Sequence, residues 1–161
     1  MSLPTTSAAT LDPSTISNLT IIFLYPRTGA PNEVVPDSWN AIPGARGCTP
    51  QACSFRDNLS GLKEHGVHDV CGLSTQSTGY QKEASDRLSL PYPLVSDEKL
   101  EFCRAMKIPM FEWEGKEVCK RITLAVENGK IVKVWYPVFP PDRSAAEVLE
   151  WLTERKAETE K

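Results

Sequence analysis

The sequence predicts an α/β domain of three layers, a mixed central sheet with flanking helices. Strand-like apolar runs alternate with helix-periodic segments along most of the chain, the pattern of strands joined by crossover helices. Near the C-terminus an Asn-Gly pair separates two further strand-like runs, and such a hairpin adds antiparallel edges to the sheet. The chain of 161 residues is sized for one domain.

Residues 1–18 are rich in Ser, Thr and Pro and read as a loose N-terminal arm ahead of a domain over 19–153. Leu19 to Tyr25 is a buried strand. Residues 26–47 hold many prolines and glycines and form a long loop, a kind of segment that is usually functional. Pro50 suits a first helical turn. Ala52, Phe55, Leu59 and Leu62 then make one apolar stripe, and Gly66 ends that helix as a left-handed cap. Val67 to Ser74 contains a second strand. Tyr80 to Leu88 is helix-compatible, Pro91-Tyr92-Pro93 breaks it, and Leu94-Val95 is a short strand. Asp97 to Lys107 reads as a helix with Leu100, Cys103 and Met106 inward. Ile122 to Val126 and Ile131 to Tyr136 flank Asn128-Gly129 as a hairpin. Ser144-Ala145-Ala146-Glu147 has the form of a capping box, opening a last helix whose apolar face is Val148, Leu149, Trp151 and Leu152. Residues 154–161 read as a charged, frayed tail. This order of elements is thioredoxin-like.

Hydrophobic residues make up 40% and charged residues 24% of the chain, which is globular usage. The net charge of −3 argues against a nucleic-acid partner, which needs a basic face. No apolar run approaches the roughly 18 residues that span a bilayer, so no membrane partner is expected. The first basic residue is Arg27, so neither a secretory nor a transit leader is expected. The expected home is cytoplasmic, with a nuclear or organellar one left open. The five cysteines form no C-x2-C pair, and the two histidines, His65 and His68, read as exposed turn residues. No metal site is expected.

The informative string is Gly47-Cys48-Thr49-Pro50-Gln51-Ala52-Cys53-Ser54-Phe55-Arg56-Asp57. It follows a strand and a loop and opens a helix. A thiol there meets unpaired N–H groups and the positive end of the helix dipole, both of which favour thiolate, the form that attacks peroxide. In an intact helix Cys53 lies about 7.5 Å further along the axis, on another face. A Cys48–Cys53 bond therefore needs the first turns to unwind, because a disulfide holds Cα atoms within roughly 7 Å. The plainer reading, equally open on spacing alone, makes Cys53 a buried small residue.

These residues resemble the peroxiredoxins, in particular their bacterioferritin-comigratory (Q-type) branch. The likeness also includes Phe23-Leu24-Tyr25-Pro26-Arg27, Gly72-Leu73-Ser74, Leu90-Pro91-Tyr92-Pro93-Leu94-Val95-Ser96-Asp97 and Lys120-Arg121-Ile122-Thr123-Leu124, and covers roughly residues 19–152. It implies a thiol-dependent peroxidase acting on hydrogen peroxide and small organic hydroperoxides. Cys48 would be the peroxidatic cysteine, Cys53 the resolving one, and Arg121 the group that holds thiolate and peroxide. Gly47, Thr49 and Thr28 are candidate substrate contacts. A thioredoxin-like or glutaredoxin-like dithiol would be the reductant, with no cofactor, in a monomer or homodimer. Apart from the resemblance, Arg121 reads as a solvated strand-edge arginine.

Three departures stand out. Ala45 occupies the place of the usual Thr or Ser, residues 30–44 look like an insertion carrying Trp39, and the N-terminal hairpin is expected to be short or missing. Cys71 and Cys103 read as core. Cys119 is expected to share a strand face with Arg121. Two other readings remain: a one-cysteine peroxidase resolved by an external thiol, and a redox-sensing interaction protein that exposes Phe55 and Leu59 when the helix unwinds.

Overall fold

The computed structural model describes residues 1–27, 37–40 and 47–159. Its central strand, β3 (Thr20–Leu24), is buried along its whole length. Ile21 and Phe23 belong to one apolar cluster and Ile22 and Leu24 to another, one on each face of the sheet. A continuous apolar run suits such a position, because both rows of side chains leave water. Strands β4 (Asp69–Ser74) and β5 (Leu94–Ser96) extend the sheet in parallel on one side. On the other side β8 (Ile122–Glu127) and β9 (Lys130–Trp135) run antiparallel. The order is β5-β4-β3-β8-β9. The hairpin turns on Asn128 and Gly129, whose φ angles of 54° and 72° are both positive, as a tight two-residue turn requires.

Helix α2 (Cys48–Glu64) and helix α5 (Ser144–Thr159) cover one face. Ala52, Phe55 and Leu62 are buried as their spacing predicts, and Phe55 stacks on Phe23 at 4.6 Å. The helix ends in a Schellman arrangement: Val67 N–H donates to Leu62 O at 3.1 Å and Gly66 N–H to Lys63 O at 3.2 Å, with Gly66 at φ 103°. Helix α3 (Thr78–Arg87) is tied to β5 by buried Gln81, whose Nε2 donates to Val95 O at 2.8 Å. This is the thioredoxin-like three-layer arrangement, with the mixed sheet between its helices.

The N-terminal segment is not a loose arm. β1 (Leu3–Pro4) pairs with β2 (Thr10–Leu11) in a short hairpin, and Leu3 is 3% exposed within the second core cluster. Thr6 N–H donates to Leu94 O at 3.0 Å, while Gly129 and Asn128 donate to Ile16 and Ser17 carbonyls at 2.7 and 3.0 Å. Backbone pairing and one well-placed leucine outweigh a polar composition. The charged end also differs from expectation, since α5 continues to Thr159 and Arg155 Nη2 donates to Glu127 Oε1 at 2.6 Å.

The helix expected over 97–107 is only α4 (Glu101–Ala105). Leu100 sits at φ 62° before it, and the Asp97 carboxylate accepts from Phe102 and Cys103 N–H at 3.0 and 2.8 Å. The start thus moves inward, and Met106 ends 43% exposed rather than inward. A hairpin of β6 (Met110–Trp113) and β7 (Lys116–Cys119) was not foreseen. Its turn has Glu114 and Gly115 at φ 50° and 78°, and neither flanking strand, Met-Phe-Glu-Trp or Lys-Glu-Val-Cys, shows the strict alternation that marks a strand in sequence. Trp39, in the short helix α1 (Asp37–Asn40), is buried against Trp113 and Phe111 at 4.9 and 5.8 Å. The described part of the 30–44 insertion therefore packs on this hairpin.

Leu3→Ala is expected to lower unfolding stability by about 2–4 kcal/mol, the usual range for a buried leucine. Urea denaturation reads this directly, and an unattached arm would show a change within about 0.5 kcal/mol.

Candidate active site

The site lies at the start of α2. Gly47 precedes the helix at φ 101°, and a Cβ on it would come within 2.6 Å of Pro141 Cγ. Both the left-handed backbone and this close approach require glycine. Cys48 is then the first helical residue and only 5% exposed, at an end whose first N–H groups have no intrahelical acceptor.

Arg121 lies just before β8 and is 4% exposed, so it is not the solvated arginine of the plainer reading. Its Nη2 donates to Cys48 Sγ at 3.3 Å and its Nη1 to Gln51 Oε1. Gln51 Nε2 donates to Ser144 Oγ at 3.4 Å, and Ser144 Oγ shares a hydrogen bond with Thr123 Oγ1 at 3.2 Å. Gln51, Ser144 and Thr123 are all buried. A guanidinium stays charged, so a permanent positive charge within 3.3 Å stabilises negative charge on the sulfur.

Ser144 is therefore not the expected cap. It adopts helical backbone angles, with φ −56° and ψ −48°, behind a 3-10 turn over Pro141–Arg143, and its hydroxyl serves the network. Gln51 and Thr123 were not singled out from the sequence. Position gave a signal for both: Gln51 is one helical turn after Cys48, and Thr123 follows Arg121 by two residues, the spacing at which strand side chains share a side.

Cys53 is half-buried within an unbroken α2, and all five cysteines are free thiols. The helix is tethered on both sides of it. Tyr92 hydroxyl donates to Ala52 O at 2.6 Å, and Arg56 Nη1 donates to Leu88 O at 2.7 Å. Thr49 is the second residue of α2 and half-buried. Thr28 and Ala45 fall outside the described residues.

The remaining cysteines stand apart. Cys119 Sγ donates to Tyr25 O at 3.1 Å and lies in the second cluster, across the sheet from Cys48. β7 ends at Cys119 and β8 begins at Ile122, so Cys119 and Arg121 do not share one strand face as expected. Burial pushes the Cys71 thiol up to about 12, and a hydrogen bond with Cys119 followed by burial raises Cys103. Both stay protonated in the core. His65 and His68 are exposed, and no group of three potential metal ligands occurs among the described residues. No described helix is long and apolar enough to cross a membrane.

A buried thiol–guanidinium pair at a helix start, on this fold, defines a thioredoxin-like thiol protein. Residues 2–149 match the Redoxin family model, and the chain belongs to that family. It is 29% identical over 138 residues to peroxiredoxin Bcp of Escherichia coli, covering 83% of this chain and 78% of that protein. To the chloroplastic peroxiredoxin Q of Gentiana triflora it is 30% identical over 106 residues, 66% of this chain and 48% of that one. The chain spans about half the length of the plant relatives it matches. The solved peroxidoxin BcpB of Mycobacterium tuberculosis superposes with a TM-score of 0.74 at 24% identity, over 96% of this chain and 92% of that one. The two curated relatives are peroxiredoxins of the Q and Bcp type, and the likeness to the solved structure is one of fold.

Two outcomes are expected. Tyr92→Phe keeps the ring and removes the tether, so amides of α2 near Arg56 exchange faster in the reduced protein, measured by hydrogen exchange. The Cys71 proton is held more tightly folded than unfolded, so its stabilisation is intact below the ordinary thiol value of 9.0 and lost as pH rises toward about 12. Cys71→Ala should flatten the alkaline fall of Tm in that window.

Proposed function

We propose that this chain is a thiol-dependent peroxidase for hydrogen peroxide and small organic hydroperoxides. The observation that carries the reading is the Arg121 guanidinium, 3.3 Å from Cys48 Sγ at the start of α2. Cys48 thiolate attacks one peroxide oxygen, and the O–O bond breaks. The sulfur is oxidised to sulfenic acid while the other oxygen leaves as alkoxide or hydroxide and takes up a proton. The guanidinium and the helix-start N–H groups, already in place, stabilise the charge moving onto that oxygen. Gly47 and Thr49, the chain neighbours of Cys48, are the proposed substrate contacts in this reading. Thr28 remains a proposed contact.

Cys53 thiolate then attacks the Cys48 sulfenic sulfur, forming the disulfide and expelling hydroxide, which leaves as water. The folded helix opposes this step, since the two Cα atoms must come within roughly 7 Å. Unwinding breaks the Tyr92–Ala52 tether or moves it with the chain. A thioredoxin-like or glutaredoxin-like dithiol returns both sulfurs to thiols by exchange. The cycle as written uses no metal or organic cofactor. A cytoplasmic location, and a monomeric or homodimeric state, are proposed with it.

The intact helix and half-buried Cys53 favour a second reading, in which an external thiol resolves the sulfenic acid. One equivalent of peroxide, a short quench and mass spectrometry of the cysteines separate the two. A Cys48–Cys53 disulfide is expected in the native chain. In Cys53→Ser we expect a persistent Cys48 sulfenic acid and at least a tenfold loss of thioredoxin-coupled turnover. Undiminished turnover in Cys53→Ser would replace the resolving assignment with the external thiol.

A further inference from the structure

We infer that Ser144 is a positioning residue for the peroxide step. Its hydroxyl fixes the Gln51 amide with the oxygen toward Arg121 and so aims Nη2 at Cys48 Sγ. The inference rests on the peroxidase reading above.

A glutamine amide has an acceptor end and a donor end, whereas a guanidinium has donors only. Gln51 supports Arg121 only with Oε1 facing it, as observed. Nε2 is then driven to the opposite side, and Gln51 is fully buried, so that donor has no water to turn to. Ser144 Oγ stands there at 3.4 Å and accepts it, with Thr123 Oγ1 on its far side at 3.2 Å. Without the hydroxyl oxygen the buried Nε2 has lost this acceptor, and nothing in this network then holds the amide with Oε1 on the arginine.

Ser144 itself is well anchored. It begins α5, whose Ala145, Val148 and Leu152 sit in the first core cluster. The turn before it places Pro141 against Gly47. One junction of the chain thus meets the site twice, at the helix start and behind the arginine. Among the described residues the Ser144 hydroxyl bonds to Gln51 and Thr123 and not to Cys48 Sγ, so its effect passes through Gln51.

The test measures the second-order rate of Cys48 oxidation by hydrogen peroxide, and the rate of Cys48 alkylation by iodoacetamide in the reduced protein. The native chain, Ser144→Ala, Gln51→Ala and the double variant are compared, with Tm recorded for each. Alanine is well tolerated in a helix, so Ser144→Ala is expected to fold. We expect Ser144→Ala to slow oxidation about tenfold, as loss of one buried hydrogen bond does. The double variant should be no slower than Gln51→Ala alone, because the two residues act in series. A merely structural serine would lower Tm and multiply its loss onto that of Gln51→Ala. Native-rate oxidation in Ser144→Ala, or multiplied losses, would overturn the positioning role. Alkylation keeps the two ideas apart: a native chain inert to peroxide, with alkylation still dependent on Ser144 and non-additive with Gln51, would sink the peroxidase reading and sustain the positioning.

Discussion

A guanidinium buried against a thiol is the constraint on which the rest of this structure depends. A permanent charge does not leave water without compensation. Here Arg121 is 4% exposed and bonded to Cys48 and Gln51. Among the described residues, three separate parts of the chain meet around it. The start of α2 brings the sulfur and the amide, the segment before β8 brings the arginine, and the start of α5 brings the serine behind them. The sheet order makes this possible, because β8 lies beside β3 on the side that α2 and α5 cover.

The same arrangement sets up a conflict between the two halves of the proposed cycle. Attack on peroxide needs α2 intact, since its N-terminus and Arg121 meet the sulfur only in that form. Disulfide formation with Cys53 needs the first turns undone. The tethers from Tyr92 to Ala52 and from Arg56 to Leu88 lie on either side of Cys53 and favour the first state. The apolar anchoring of Phe55 and Leu62 lies further along, so unwinding confined to the first turns withdraws Cys48 and Ala52 from the first cluster and leaves Phe55 and Leu62 in it. Cys71, Cys103 and Cys119 are held in the core, separate from this exchange.

The N-terminal hairpin and the β6–β7 hairpin show how short segments acquire structure from their neighbours. Neither carries a long apolar run. Leu3 enters a cluster built by Ile22, Leu24 and Val126, and Trp39 finds Trp113 across the second hairpin. In both, burial is supplied by residues far away in sequence, which local propensity does not register.

Much was legible in the sequence itself. The β3 run, the stripe on α2, the Gly66 cap and the Asn128-Gly129 turn are local patterns, and period and turn chemistry are local properties. Cys48 at a helix start was readable for the same reason. What only the tertiary structure decided was partnership. Arg121 read from its neighbours as a surface residue, because Cys48 and Gln51, which it bonds, are far away along the chain. Ser144 matched a helix cap in sequence, yet its hydroxyl is taken by Gln51 and Thr123. Residues 1–18 read as loose because the acceptors and donors that hold them lie on β5 and at the β8–β9 turn. Local sequence specifies backbone shape through sterics and periodicity, whereas charge pairing and buried hydrogen bonds are satisfied by whichever groups the fold brings within reach.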